Sequence, residues 1–529
     1  MKLERALALS LMATLAAGLG CVDSVGVTPG DSGLARHDAG TDPADAGSTP
    51  ADAGTVVVDG GSDAGVTATD GGSAASVPLP VTIPANTADW TFYGPDQGLP
   101  NQVYGASYDA GGDLWVAGGT EGLFVLRPGD TSFTQLTMKD GLRPYGYMPD
   151  GSAPVGTKVL DVISVSGAWA GTVFVGYMGK PPAPGELDCE SNWDGPNPDP
   201  SIYKSGDADR VTLTATGIDV VHYDISSGPG LVGAELRGRE KLCDIYRVRY
   251  DPANDRVWFG ANHGFAMGAA HYAGTGKCQW DSTLDPPVPT QQTSPFDDEP
   301  GHFGCSGVLE HVHPALNGYK ADGSCCAYLT GGYYGVAVDP VTHDVWFGGQ
   351  MRTTKFHYAT TGGDYFQAQS ETEDPPYIAN RIDIWPDLVE EPQIPTVAER
   401  VDDFVAGAAA MNDGTVWLTS FVRGLAHLAA DGTVLARLTT GDGLVANKLW
   451  GIAADPLDQS VWVGPSFVGG LSRLKDGNVT AITQVFGPDL IDEGVSDIQS
   501  WGQGASRKMV VSFAGNSTHA GAVAVYSGP

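Results

Sequence analysis

The sequence predicts an all-β protein, a seven-bladed β-propeller of four-stranded antiparallel blades, and three observations carry the prediction. A hairpin unit recurs down the chain; a third strand, and in the cleaner copies a fourth, follows it; and the last copy lacks an outer strand that the start of the domain can supply. The unit is clearest at residues 334–349, where Val336 and Val338 alternate with smaller residues, Asp339-Pro340 opens a turn, and Val345-Trp346-Phe347 restarts β-propensity before Gly348-Gly349. Four antiparallel strands repeating at roughly 40–50 residues are the signature of a propeller, whose radial arrangement protects sheet edges.

Ahead of the repeats lies a segment that cannot form a core. Lys2 and Arg5 precede an apolar run that ends in small residues before Cys21. The run is too short to span a bilayer, which is the pattern of an export signal. The junction Ala17-Gly18-Leu19-Gly20-Cys21 resembles a bacterial lipoprotein cleavage site, which implies that Cys21 becomes a lipidated first residue. Residues 22–85 are rich in Asp, Ala, Gly, Ser, Thr and Pro, with the near-repeats Asp42-Pro-Ala-Asp-Ala-Gly47 and Thr49-Pro-Ala-Asp-Ala-Gly54. Such a tract lacks the burial that would offset its ordering entropy, and is expected to act as a disordered tether.

Charge narrows the partners. Of the formal −34, residues 1–21 contribute +1 and residues 22–85 contribute −8, so −27 remains on the repeat region. Phosphate recognition needs a basic surface, so nucleic acid is excluded as an expected partner. Cys189, Cys243, Cys278, Cys305, Cys325 and Cys326 form an even set in an exported chain and are candidates for three disulfides. Six cysteines allow fifteen pairings, and nothing selects among them.

The copies can be taken in order. Their second-strand aromatic slot holds Trp115, Phe174, Trp258, Trp346, Trp417 and Trp462, with Val510 in the seventh copy. Third strands opened by glycine are expected at residues 122–126, 217–223, 264–267, 424–428, 470–474 and 521–526; Thr354-Lys-Phe-His-Tyr serves in copy four. The Asp-Pro pairs at Asp251, Asp339 and Asp455 read as turn initiators. On this scheme His357 and His427 share one third-strand position with Arg473, which favours a structural role. The seventh copy ends at its third strand, and Asp89-Trp-Thr-Phe-Tyr93 has the form of the missing outer strand, closing the ring like a clasp.

Gly98-Leu99-Pro-Asn101, Asp140-Gly141-Leu142 and Asp442-Gly443-Leu444-Val-Ala-Asn447 give the chain a resemblance to the two-component regulator propeller family, strongest at both ends of residues 86–529. That resemblance implies an extracytoplasmic sensor. No kinase segment follows Pro529, so a signalling role is expected to require a separate partner.

Longer insertions are expected at residues 143–157, 178–216, 281–332 and 371–400. With strands labelled A to D from the axis outward, the first, third and fourth fall in D–A connections and the second between B and C of copy two, so all four leave on one face. Long irregular loops in a compact fold are usually functional. Within them Trp193, Tyr203, Tyr377 and Trp385 are the candidate ligand-binding residues, because large aromatics on polar loops seek a partner or local burial. His302, Glu310, His311 and His313 lie near Cys305, and the His-x-His pair puts both imidazoles on one side of an extended segment, so a divalent metal is the one cofactor considered. Thr275-Gly-Lys-Cys-Gln-Trp280 resembles a quinoprotein blade motif but occurs once and reads as a C–D turn.

The function expected is a non-catalytic ligand-binding or sensing module. It would be exported, anchored to the outer membrane through lipid alone, monomeric, and directed at a glycan, peptide or envelope protein. The alternatives are a propeller lyase or metal-dependent hydrolase with its site at the channel mouth, which calls for a metal or a buried titratable cluster at the axis, and a structural envelope protein.

Overall fold

The computed structural model describes residues 77–144, 161–179, 206–223, 244–261, 264–272, 280–281, 288–289, 315–316, 327–328, 332–349, 352–356, 382–383 and 404–529. These form seven antiparallel sheets arranged as the blades of a propeller. Blade 1 runs Gly105–Tyr108, Leu114–Ala117, Leu123–Leu126 and Thr134–Leu136; blade 5 runs Val405–Ala410, Val416–Ser420, Gly424–Leu428 and Val434–Leu438. Blade 6 runs Leu449–Ala454, Val461–Pro465, Leu471–Lys475 and Asn478–Ile482. Each inner strand packs on the inner strand of the next blade, and that of blade 7 on that of blade 1, so the ring is closed.

Closure uses the clasp. Trp90–Tyr93 is the outer strand of blade 7, antiparallel to Ala522–Tyr526, with Trp90 opposite Tyr526 and Tyr93 opposite Val523. Trp90 and Phe92 bury their rings beside Trp462 and Phe486, in one cluster with Leu471, Met509 and Phe513. The outward N–H groups of the clasp are occupied as well: Asn86 Oδ1 accepts from Phe92 N (2.8 Å) and Thr87 Oγ1 from Trp90 N (3.1 Å). An edge strand capped in this way offers no template to another chain.

The aromatic slot packs between blades as expected: Trp115, Trp258, Trp346 and Trp462 are each fully buried. Across the ladder, on the third strand, sits a group that covers the ring. Lys355 lies 5.1 Å over Trp346, Arg473 lies 5.2 Å over Trp462, and His427 stacks on Trp417 at 4.0 Å. His357 therefore does not share the His427 position. Lys355 takes it, because the third strand of blade 4 is Arg352–Phe356 and starts earlier than its polarity suggests.

Two further expectations change. In blade 2 the third strand is Ala208–Leu213, and the segment expected there is the fourth, Ile218–Tyr223. The polar run Ala-Asp-Arg-Val-Thr-Leu hides a strand whose outer half is solvated, and the connection between strands B and C shrinks to residues 178–207. In blade 4, Ile382–Asp383 is the fourth strand and pairs with Arg352–Phe356. The insertion placed at 371–400 is thus split, residues 357–381 forming a C–D connection and residues 384–403 a D–A connection. Blade 3 has three strands among the described residues, Ile245–Asp251, Arg256–Ala261 and Gly264–Ala269. Trp280–Asp281 pairs separately with Val288–Pro289, and Ala315–Leu316 with Ala327–Tyr328.

Candidate functional site at the channel mouth

The two faces of the ring differ in what their loops hold. On the face of the A–B turns, aspartates are consumed by the turns they start. Asp109 accepts from Gly111 N, Asp113 N, Gly171 N and the Trp115 indole, and Asp339 accepts from Val341 N and Thr342 N. Asp251 holds Ala253 N and Asn254, and Asp455 holds Leu457 N and the Arg507 guanidinium (2.9 Å). These carboxylates are structural, as their sequence context predicts.

At the start of the inner strands, on the D–A and B–C face, the backbone does something the sequence does not announce. Ladder register slips by one residue in blades 2, 3, 5, 6 and 7, leaving Ile163, Tyr246, Ala406, Trp450 and Ser496 in bulges. Tyr104 and Tyr334 precede Gly105 and Gly335 at the equivalent place. A bulge re-aims the side chain it carries. Here the aromatic members meet around the channel mouth: Tyr246 stacks on Tyr334 at 4.3 Å, and Tyr334 reaches Trp450 at 5.4 Å, with small Ala406 in the blade between.

Two B–C loop tips extend this collar into a stripe. Blade 5 reads Ser420-Phe-Val-Arg-Gly-Leu425 and blade 6 reads Ser466-Phe-Val-Gly-Gly-Leu471. Ser420 Oγ turns the first by accepting from Val422 N (3.1 Å) and Arg423 N (2.7 Å), and Gly424, at φ +95°, sits so close to Leu438 O that no Cβ fits. Phe421 stacks on Phe404 at 4.7 Å and meets Phe467 at 6.0 Å, and Phe404 lies 4.7 Å from Tyr334. Lys448 Nζ stands 5.2 Å over the Phe467 ring. The stripe thus runs unbroken across blades 3 to 6.

Beneath it, charged and polar side chains cross the ring from blade to blade. Arg247 in blade 3 reaches across to Asp497 in blade 7 (2.5 Å), and its Nε donates to Tyr334 O in blade 4 (3.0 Å). Arg249 adds a second contact to Asp497 (3.3 Å), and Gln499 Nε2 donates to both Asp497 Oδ2 (2.7 Å) and Val165 O in blade 2 (2.8 Å). Burial pulls the Arg247 guanidinium below its ordinary pKa, and the Asp497 carboxylate opposes that pull. At the same level the neighbouring inner strands of blades 4 and 5 carry glycine and pack closely on the next blade. A Cβ on Gly335 would stand 3.2 Å from Gly407, and one on Gly407 would stand 2.6 Å from Trp450 O.

Two other buried polar groups occupy this face. In blade 2, Asp209 accepts from the Tyr177 hydroxyl and from Arg143 N (2.7 Å) and bonds His222 Nδ1 (2.7 Å), with His222 Nε2 3.7 Å from Asp207. This ties the blade 1–2 link to the base of the 178–207 connection. In blade 7, Glu493 accepts from Asn516 Nδ2 (2.7 Å) and lies 3.8 Å from His519. Burial raises the Glu493 pKa to about 8, and the nearby Asp492 and Asp489 add to the rise.

The sequence-predicted site residues fall outside the described residues. This holds for Trp193, Tyr203, Tyr377 and Trp385, for His302, Glu310, His311 and His313, for Cys21, and for Cys189, Cys243, Cys278, Cys305, Cys325 and Cys326. By chain position, Trp193 and Tyr203 belong to the B–C connection of blade 2, and Trp385 to a D–A connection. Tyr377 precedes the fourth strand of blade 4 in the chain, within a C–D connection. Among the described residues, no group of three or more His, Cys, Asp or Glu side chains could hold a metal ion, and no helix is long and apolar enough to cross a membrane.

No family model matches the chain, and neither does any curated protein. Among solved structures, YCF48 bound to a D1 peptide is similar with a TM-score of 0.41 and 10% identity, over 85% of this chain and 100% of that one. YCF48 from Cyanidioschyzon merolae gives 0.41 and 12%, over 83% and 98%. PorZ, an essential bacterial surface component of the type-IX secretion system of Porphyromonas gingivalis, gives 0.34 and 13%, over 81% of this chain and 59% of that one. At such scores and identities these likenesses carry no argument about this chain.

Proposed function

We propose that this propeller is a non-catalytic ligand-binding or sensing module that reads its ligand at the mouth on the D–A and B–C face. The observation that carries the reading is the aromatic stripe from Tyr246 to Phe467, because rings stacked on one another at the end of a ring of blades form a ready apolar contact surface. A titratable cluster does lie at the axis, as an enzyme would need. Its Asp497 carboxylate, however, is taken up on both oxygens by Arg247, Arg249 and Gln499, which makes it a cross-brace between blades.

The module is exported and held at the outer membrane by a lipid on Cys21, through a tether expected over residues 22–85 whose last part, residues 77–85, lies against the ring. Support comes from the signal-like N-terminus and from the place where the tether joins the ring. Leu79 N donates to Asn101 Oδ1 (2.8 Å), Asn101 Nδ2 to Val77 O (2.9 Å), and Thr82 N to Asp489 Oδ2 (2.7 Å). Asn101 and Asp489 lie in links that open blades 1 and 7, so the tether leaves from the loop-bearing face. Trp193 and Trp385 enter on connections of that face and are proposed to widen the contact.

Trp450 supplies the test. Peptides, glycans and envelope extracts should be screened for a shift in tryptophan emission that disappears in Trp450→Phe. A ligand that binds both Trp450→Ala and Phe404→Ala as it binds the native protein would move the site elsewhere.

A further inference from the structure

We infer that the stripe receives an extended polypeptide segment of a partner protein, with aliphatic side chains on alternate residues and an acidic group at the end nearest Lys448. This rests on the binding reading above and names the partner class.

The first ground is the repeated Ser-Phe-Val at two adjacent loop tips. Val422 is 41% exposed and Val468 50% exposed, although a B–C turn has no need of an apolar apex: blade 1 makes the same turn with Gly119-Thr-Glu-Gly122. Exposure then falls along the stripe, to 8% at Tyr334. A surface that begins on protruding tips and descends into the mouth suits a flexible strand better than a flat bilayer, which would touch only the tips.

The second ground is how the rings are turned. Phe404 and Phe421 lie at 14° to each other and Tyr246 and Tyr334 at 24°, so each pair spends ring faces on itself. Sugar recognition uses open ring faces. With the ring faces taken up in pairs, the exposed contacts are Val422 and Val468, which match aliphatic side chains. The ring contacts from Tyr246 to Phe467 proceed in steps of 4.3 to 6.0 Å, a path crossed by about six residues of extended chain at ~3.3 Å each.

The third ground is charge. In a chain of net charge −34, the Phe467 end of the stripe carries exposed Lys448 over the ring. A basic spot on an acidic surface selects an acidic flank and repels a basic one.

The test uses the full chain carrying Cys21→Ser as bait for displayed random dodecapeptides. In parallel, the same protein meets an immobilised glycan panel and vesicles of phosphatidylcholine with and without phosphatidylglycerol. Peptides with alternating Val, Ile or Leu and a terminal Asp or Glu are expected to be enriched. Made synthetically, they should bind at least about tenfold more weakly to Val422→Asp/Val468→Asp, and a few-fold more weakly to Lys448→Glu. Neither change should alter melting temperature, since these side chains are exposed. Enriched peptides that bind the double variant normally, or no enrichment at all, overturn the inference. If glycans or vesicles bind instead and lose binding in the double variant, the partner class is wrong and the binding face stands. If nothing that binds depends on the stripe, both fail.

Discussion

The turn face and the loop face of this ring are built from the same repeat, yet they use their side chains in opposite ways. On the turn face the aspartates are spent on their own turns, and Asp109 alone holds three backbone N–H groups and one indole. On the loop face, aromatic rings gather from four blades, and two apolar side chains stand at loop tips. The difference teaches where stability ends and recognition can begin. Substitutions on one face should cost stability alone, and substitutions at the rim of the other should cost binding alone.

The largest effect that would sharpen the contrast lies with the elements that close the ring. Deleting residues 86–93 removes the outer strand of blade 7 together with the caps on its edge, and should lower the melting temperature far more than deleting an equal length within residues 22–76. Equal melting temperatures for the two deletions would show that the clasp does not hold the ring shut. Next comes the axis: Arg247→Ala takes from the buried Asp497 its closest cation, leaving it Arg249 and Gln499, and should cost about 2–3 kcal/mol in denaturant unfolding, whereas Arg247→Met with Asp497→Leu should recover part of that loss. A turn-face change, Asp109→Ala, leaves the Trp115 indole and its backbone N–H partners without their acceptor and should cost roughly 2–3 kcal/mol. Ligand affinity should not move.

A smaller effect depends on pH. The folded-state pKa of Glu493 is raised to about 8 from its ordinary 4.5, so the native state holds the proton more tightly than the unfolded chain does. The stability this gives is fully present below about pH 4.5 and is lost as pH rises toward 8. Glu493→Gln should therefore raise the melting temperature at pH 8.5 relative to the native protein, and leave it little changed at pH 4.5. The groups facing Glu493 are His519, Asn516, Asp489 and Asp492, and a gain of equal size at both pH values would show that the carboxyl is not the titrating group. The smallest expected change is the thermal response of Val422→Asp/Val468→Asp, which should be indistinguishable from zero. A clear loss would break the division between the faces.

Much of the architecture is legible in the sequence because it is written locally. The alternation in Val336 and Val338, the Trp slots and the Asp-Pro turns each fit within one hairpin, and the missing outer strand points to Trp90–Tyr93 by subtraction. Blade 2 is harder to read because Ala208–Leu213 follows a long connection and carries Asp209 and Arg210 inside the strand, where alternation fails. The same weakness misplaces His357, since the third strand of blade 4 opens with Arg352 and no glycine. The site is less legible. Tyr246 and Trp450 look like ordinary strand residues until a bulge re-aims them, and a one-residue slip leaves no mark in composition. The partnership of Arg247 with Asp497 links blades at opposite sides of the ring, and no local pattern encodes it. The one local clue to the site is the twice-written Ser-Phe-Val.

The clasp sets the order of assembly. Along the chain Trp90–Tyr93 comes ahead of every blade, while its partner Ala522–Tyr526 comes after all the other strands. The ring must therefore wait, with one edge of the nascent sheet unsealed, until its last strand has been made, and loop closure over such a span is entropically slow. Yet the folded ends lie side by side, with Ser527 N donating to Asp89 O (2.8 Å). Moving residues 86–93 to follow Pro529 would turn the slowest pairing of the molecule into a local hairpin, giving a protein with the same contacts and a shorter vulnerable period.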